Sequence, residues 1–333
     1  MLTLLWGLLN ESPMVAVADA LRQAGAEIAL LDQRDVMKSK VCLEVGDTVA
    51  GHVSSPAGEF DLQDVGAAYV RPYDSRSLSP VRRARTRTAN ARAAAMDEIL
   101  MTWCDISPGL ILNRPACAAT NNSKPYQSQF IRRAGFRLPE TLITTLPEAA
   151  KEFHQRHGRV IYKSVSGVRS QVSELTAAHA DRLENVIFCP TQFQKMIRGR
   201  DFRVHVVGDE VLACELVCDA DDYRYPGEHQ LEIRAACLPL EVEERCILLA
   251  RSLDLPLAGI DLRRTPEDDW YCFEANPSPA FTFYQESTGQ PIAAAIAQLL
   301  TQQTSAEEFS SLPVIGTERE LEEGVCRETP DYA

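Results

Sequence analysis

The chain has 333 residues, of which 45% are hydrophobic, enough for a sizeable core or for two to three small domains. A formal net charge of −13 argues against general nucleic-acid binding and leaves only a local basic site open. The opening MLTLLWGLLN is apolar, lacks a basic leading segment and is far too short to span a bilayer, so neither a targeting nor a membrane segment is expected. The ten cysteines form no zinc pattern; reading most of them as buried free thiols implies a reducing, cytoplasmic setting.

Residues 1–72 alternate strands and helices. LTLLWGL reads as a strand and Pro13 to Ala24 has helical spacing, with Gly25 behind it. EIALLD is a second strand, VCLEVGDTVAGHV a hairpin turning at Gly46-Asp47, and AAYV another apolar strand. No GxGxxG follows the first strand, so a dinucleotide fingerprint is absent. Residues 79–104 read as one long helix, with Ser79 as its cap and Pro80 in its first turn. The expected packing stripe is Val81, Ala84, Thr88, Ala91, Ala95 and Ile99. Arg82, Arg83, Arg85, Arg87 and Arg92 fall off that stripe, as a solvated face or as a contact surface for an acidic peptide.

A new unit is expected to begin near Asn113. NSKPYQSQFIRRAGFRLPETLITT reads as a capped helix and a strand, LPEAAKEFHQRHG as a helix, and RVIYKSV as a strand. FQKMI, DFRVHVVGD and EVLACELV are strands, the last two joined at Gly208-Asp209. Residues 241–254 and 290–301 are helical, and AGIDLRR and WYCFEAN form a hairpin around PEDD. Beyond Gln302 the chain turns polar and acidic, as a loosely packed tail.

WYCFEANPSPAF carries the most pointed chemistry. Glu274 and Asn276 are two apart on a strand and project from one face, before Pro277 and Pro279 end it. A carboxylate and an amide oxygen converging there suit a hard cation such as magnesium; a solvated polar strand end is the alternative. Antiparallel pairing with AGIDLRR could set Asp261 across from them. Lys163 interrupts an apolar strand and needs an anionic partner if it points inward, for which a triphosphate is a good candidate. Lys124 stands at a helix start.

The ordered set K…YKS…QFQKMI…DFRVHVVGDEVLA…DYR…GIDL…FEANPSP…TGQPIA, from about residue 113 to 300, resembles the ATP-grasp superfamily and its RimK-like carboxylate–amine ligases. The graspetide (microviridin-type) peptide synthetases are also similar. The resemblance implies an α/β (α+β) ATP-grasp fold. Its divisions are an N-terminal open α/β domain (1–112), a small subdomain (113–190), a C-terminal subdomain with the metal site (191–302) and the acidic tail (303–333). It implies an ADP-forming ligase using ATP and Mg2+, with Mn2+ able to substitute, that makes an amide or ester through an acyl phosphate. Lys124 and Lys163 resemble the phosphate-binding lysines, and residues 164–171 a loop that folds over the phosphates. Gln194, Lys195, Met196 and Ile197 match the adenine-reading hinge and Asp201 a ribose-side ligand. Arg203 and Arg224 look like arginines that meet phosphate or a developing acyl phosphate. Asp261, Glu274 and Asn276 match three magnesium ligands. A local Arg203–Asp201 ion pair is the competing reading for those two residues. The implied partners are ATP and a peptide or amino-acid substrate, acidic ones included; neither nucleic acid nor membrane is expected, and a homo-oligomer is left open. A non-catalytic ATP-binding module or a phosphotransferase of the same fold is the alternative.

Overall fold

The computed structural model describes residues 1–164, 172–217 and 231–302. Arg224, the loop at 165–171 and the acidic tail from 303 onwards lie outside the described residues. No helix among the described residues is long and apolar enough to cross a membrane.

The N-terminal unit is built on a parallel sheet. Strands β1 (Leu2–Gly7), β2 (Glu27–Asp32), β6 (Val65–Arg71) and β7 (Leu110–Leu112) lie in the order β2-β1-β6-β7. The order reverses between β1 and β6, the topological point at which open α/β sheets place a ligand crevice beyond the carboxyl ends of their strands. A smaller antiparallel sheet of β3 (Lys40–Val45), β4 (Val49–Ser55) and β5 (Gly58–Asp61) flanks it, and β3 and β4 turn at Gly46-Asp47 as expected. Helix α1 (Ser12–Gln23) covers one face of the parallel sheet.

The long helix expected at 79–104 is two helices, α2 (Ser79–Ala84) and α3 (Arg87–Ile106). Arg85 adopts a left-handed conformation (φ 52°) and breaks the chain. Thr86 then caps α3, its Oγ1 accepting from the Ala89 N–H at 3.1 Å. The break resets the helical phase. The buried stripe is therefore Val81, Ala89, Ala93, Met96, Asp97, Leu100, Trp103 and Cys104; Ala84, Thr88, Ala91 and Ala95 are exposed.

Asn113 leads into α4 (Pro115–Ala118) and α5 (Lys124–Arg133). The next sheet has the order β10-β9-β11-β8, from β8 (Thr141–Thr144), β9 (Val160–Ser164), β10 (Ser173–Glu174) and β11 (Thr191–Lys195). Helix α6 (Pro147–His157) and a 3-10 segment (Ala177–Phe188) share its apolar core with Val160 and Phe193. Because β11 pairs with both β8 and β9, this sheet ends at Lys195, one strand later than the division expected at residue 190.

The last sheet is antiparallel, in the order β14-β13-β12-β15-β16. It consists of β12 (Arg200–Val207), β13 (Glu210–Val217), β14 (Glu232–Ala236), β15 (Leu257–Arg264) and β16 (Trp270–Asn276). Helix α7 (Leu240–Ser252) packs on one face against Phe202, Val204, Val206, Ile260, Leu262 and Cys272. Short α8 (Thr282–Thr288) and apolar α9 (Ile292–Thr301) follow. Helix α9 shares a core with α1, β1 and β6 as well as with Val207 and Leu257, which fastens the N-terminal unit to this sheet.

Removing a hydroxyl cap from a helix start costs about 1 kcal/mol. Thr86→Ala is therefore expected to lower unfolding free energy by roughly that amount. Urea titration should show the loss as a shifted midpoint with an unchanged slope.

Candidate active site

One face of the last sheet is committed to the core with α7, so the opposite face carries the site. Asp201, Arg203 and His205 alternate with the core residues along β12, and Gly259, Asp261 and Arg263 do so along β15. On β16 strict alternation fails. Asp261 pairs with Glu274, but the next residue, Leu262, pairs with Cys272, so Phe273 is an extra residue at a bulge. Cys272 and Ala275 are both in the core, three residues apart. The bulge is what turns Glu274 to the same side as Asp261. Asn276 stands opposite Gly259, two pairs further on.

Three ion pairs tie this face together. Arg203 Nη1 donates to Asp261 Oδ1 at 2.6 Å. Lys124, the first residue of α5, donates to Glu274 Oε2. Arg263 grips Asp201 with two hydrogen bonds of 2.6 Å and gives a third, at 2.7 Å, to the Ile197 carbonyl. All six side chains are at most 18% exposed. The expected alternative pair, Arg203 with Asp201, is replaced by these two cross-strand pairs. Gly259 makes the Arg203 geometry possible, because a Cβ there would stand 2.2 Å from Arg203 Nη2.

The prolines after β16 acquire a reason. Pro277 and Pro279 donate no N–H, and their carbonyls are satisfied from outside the strand. Asn113 Nδ2 donates to the Pro277 carbonyl and, at 2.6 Å, to the Leu257 carbonyl. Arg71 Nη1, at the carboxyl end of β6, donates to the Pro279 carbonyl at 3.0 Å. Gln127 of α5 brackets Ala275, donating to its carbonyl at 2.8 Å and accepting from its N–H at 3.0 Å. Asn276 Oδ1 accepts from the Ser278 N–H at 2.9 Å, which turns the chain. None of Asn113, Arg71, Gln127 and Arg263 was singled out from sequence. Only Arg263 carried a signal, its i+2 spacing from Asp261.

The remaining expected residues lie on the neighbouring sheet. Lys163 pairs in register with Gln192, on the face opposite the Val160 and Phe193 core. Gln194 shares that face, and its Nε2 donates to Thr141 Oγ1 at 3.0 Å. Lys195 falls on the other face, 3.6 Å from Glu140. The N–H groups of Lys195 and Met196 donate to the carbonyls of Glu140 (2.9 Å) and Arg159 (3.0 Å).

Asp261, Glu274 and Asn276 supply hard oxygen donors, a set that fits a magnesium ion. Burial pushes the Cys272 thiol well above its ordinary pKa, so the thiol beneath Glu274 is not a thiolate nucleophile.

Residues 121–300 match the RimK-like ATP-grasp domain. The chain belongs to the RimK-like ATP-grasp family. Among curated proteins, the ribosomal protein bS6–L-glutamate ligase of Escherichia fergusonii is 26% identical over 208 residues, covering 59% of this chain and 69% of that protein. A probable α-L-glutamate ligase of Citrobacter koseri matches at the same identity and coverage. Among solved structures, the ATP-grasp ligase PsnB, complexed with a phosphomimetic variant of its minimal precursor, Mg and ADP, superposes with a TM-score of 0.76 at 26% identity. That match covers 90% of this chain and 98% of PsnB. The macrocyclase MdnC of Microcystis aeruginosa MRC, bound to precursor peptide MdnA, shares the fold with a TM-score of 0.77 at 23% identity, covering 90% and 99% of the two chains. The class of activity follows from the family: ATP-dependent, ADP-forming ligation that makes an amide bond on a peptide or amino acid.

His205 is a further resident of the cleft face that sequence reading missed. It is fully buried beside the Tyr284 ring, and neither ring nitrogen has a hydrogen-bond partner among the described residues. Burial, then the charge of Arg203, holds its pKa well below the usual 6.5. The unfolded chain therefore takes up a proton below pH 6.5 that the fold refuses, and stability falls as pH falls. This slope approaches about 1.4 kcal/mol per pH unit for one group. His205→Leu is expected to flatten the acid side of a urea-midpoint profile between roughly pH 6.5 and 5 while leaving it unchanged above pH 7.

Proposed function

We propose that this chain joins a carboxylate to an amine through an acyl phosphate, acting on a peptide. The observation that carries the reading is the register pair Asp261–Glu274, with Arg203 and Lys124 on the same oxygens. In the first step a substrate carboxylate oxygen attacks the γ-phosphorus of ATP and ADP leaves. In the second, the amine attacks the acyl carbon, inorganic phosphate leaves and the amine gives up a proton. A hydroxyl in place of the amine gives an ester.

Asp261, Glu274 and Asn276 would hold Mg2+, or Mn2+ in its place. The ion supplies charge neutralisation on the transferred phosphoryl group. Lys124 and Lys163 hold phosphates. Arg203 faces the acyl phosphate, and Arg224 is assigned with it from the family resemblance. Residues 194–197 receive adenine. With the Lys195 and Met196 N–H groups engaged, the base is read by the Ile197 N–H and by carbonyls of this run. Asp201, set by Arg263, takes the ribose side. Positioning and charge stabilisation carry this chemistry without a covalent enzyme intermediate.

Hydroxylamine is expected to trap a hydroxamate when ATP and the carboxylate substrate are present and the amine is withheld. Carboxylate-¹⁸O should deliver one label to inorganic phosphate. Label in AMP would mean adenylation, and a stable phosphorylated product would mean phosphotransfer.

The substrate peptide is assigned an acidic segment. Arg82, Arg83, Arg85 and Arg87 are exposed around the α2–α3 elbow and have no acidic partner among the described residues. Arg92 is engaged instead, donating to the Ser39 carbonyl at 2.7 Å. The elbow follows β6 after a 3-10 turn (Ser75–Ser77), on the strand-end side of the sheet where Arg71 meets Pro279. PsnB, similar over most of this chain, was solved with precursor peptide. Changing Arg82, Arg83 and Arg85 together to Gln is expected to raise KM for an acidic peptide several-fold. Its salt dependence should flatten, because exposed charges act at long range only when unscreened. KM for ATP should stay constant. Unaltered peptide kinetics across a salt series would remove the elbow from recognition.

A further inference from the structure

We infer that Lys124 and Arg203 are exchangeable counter-ions of Glu274 and Asp261, so that divalent cation and nucleotide phosphate enter this site as a linked pair. The inference rests on the MgATP reading above and says how that site is regulated. Among the described residues, two acids and two bases make these contacts, and the formal charges of the four cancel. Lys124 occupies Glu274 Oε2, and Arg203 Nη1 lies 2.6 Å from Asp261 Oδ1. These are oxygens that a divalent cation would need. The side chains are 6–18% exposed, so water screens the cluster weakly. A cation arriving alone must displace both bases, or sit beside them against their repulsion, and neither base gains a new anion in return. Polyphosphate arriving with the cation changes both terms. It accepts the ammonium and the guanidinium, and the released carboxylate oxygens turn to the metal.

The two bases are mounted for such a move. Lys124 begins a helix, and its flexible four-carbon stem reaches across to β16. Arg203 lies over Gly259, which presents no side chain of its own, and its guanidinium carbon is 5.8 Å from the centre of the Tyr284 ring. A ring face holds a cation without directing it to a single oxygen.

The inference is tested by Mn2+ binding to the full chain, followed by electron paramagnetic resonance without nucleotide. Lys124→Met and Arg203→Met are each expected to tighten Mn2+ about tenfold, while Glu274→Gln weakens it; this corresponds to one removed charge–charge repulsion or attraction. A metal-free ATP analogue, measured in EDTA, should bind Lys124→Met more weakly than the wild type. Circular dichroism checks each fold, and Lys124→Gln replaces the Met variant if that one unfolds. Nucleotide-free Mn2+ affinity that is unchanged or weakened in both base variants would overturn the exchange. Failure of the MgATP reading itself looks different: the wild type would bind the metal–analogue complex no more tightly than the metal-free analogue, and Glu274→Gln would not alter either.

Discussion

Among the described residues, six mostly buried charges pair off across β12, β15, β16 and the start of α5, and the arrangement of the cleft follows from that constraint. Asp261 with Arg203, Glu274 with Lys124, and Asp201 with Arg263 are each within hydrogen-bond reach. An isolated charge at such a position is costly, whereas a paired and hydrogen-bonded one is tolerated. The pairs also couple elements distant in sequence. Lys124 and Glu274 are 150 residues apart, and Arg203 and Asp261 are 58 apart. Proper closure of α5 over β16 and proper register of β12 with β15 are therefore conditions for charge balance.

The same segment is constrained a second time by neutral contacts. Proline deprives residues 277 and 279 of N–H groups, and three elements of the molecule answer for the carbonyls around them. Gln127 comes from α5, Asn113 from the end of β7 and Arg71 from the end of β6. Two of these lie at the carboxyl edge of the N-terminal parallel sheet. That edge also holds Gly7, where a Cβ would come within 2.8 Å of the Arg71 carbonyl oxygen. The N-terminal unit is thus part of the support for the residues around Asn276. The apolar core shared by α1 and α9 supplies the adhesion behind those polar contacts.

Much of this was legible in the residues. Strand-like runs marked β12, β13, β15 and β16, and glycine-containing turns at Gly46-Asp47 and Gly208-Asp209 marked two hairpins. The i+2 spacing of Glu274 and Asn276 placed them on one face, and the pairing with Asp261 followed from a short PEDD turn. The order of the lysine, hinge and strand motifs pointed to the RimK-like ATP-grasp family, to which the chain belongs. These signals are local, or depend only on the order of local signals, and a single sequence carries them intact.

What the sequence left open depended on phase and on distant neighbours. Helical periodicity predicted one helix over residues 79–104, because nothing in composition shows that Arg85 takes a left-handed conformation and Thr86 restarts the count. Strand alternation could not say whether Glu274 joined Cys272 in the core or faced the cleft. The bulge at Phe273 decided that, through pairing with β15. Neither Arg71, Asn113 nor Gln127 has a chemical reason to be chosen until Pro279, Pro277 and Ala275 lie beside them. The sequence by itself determined which oxygens and which cations the protein owns and the strands that carry them. Only the tertiary structure decided which oxygen meets which cation, because strand register and the closure of a helix against a distant strand are set by packing across the whole fold.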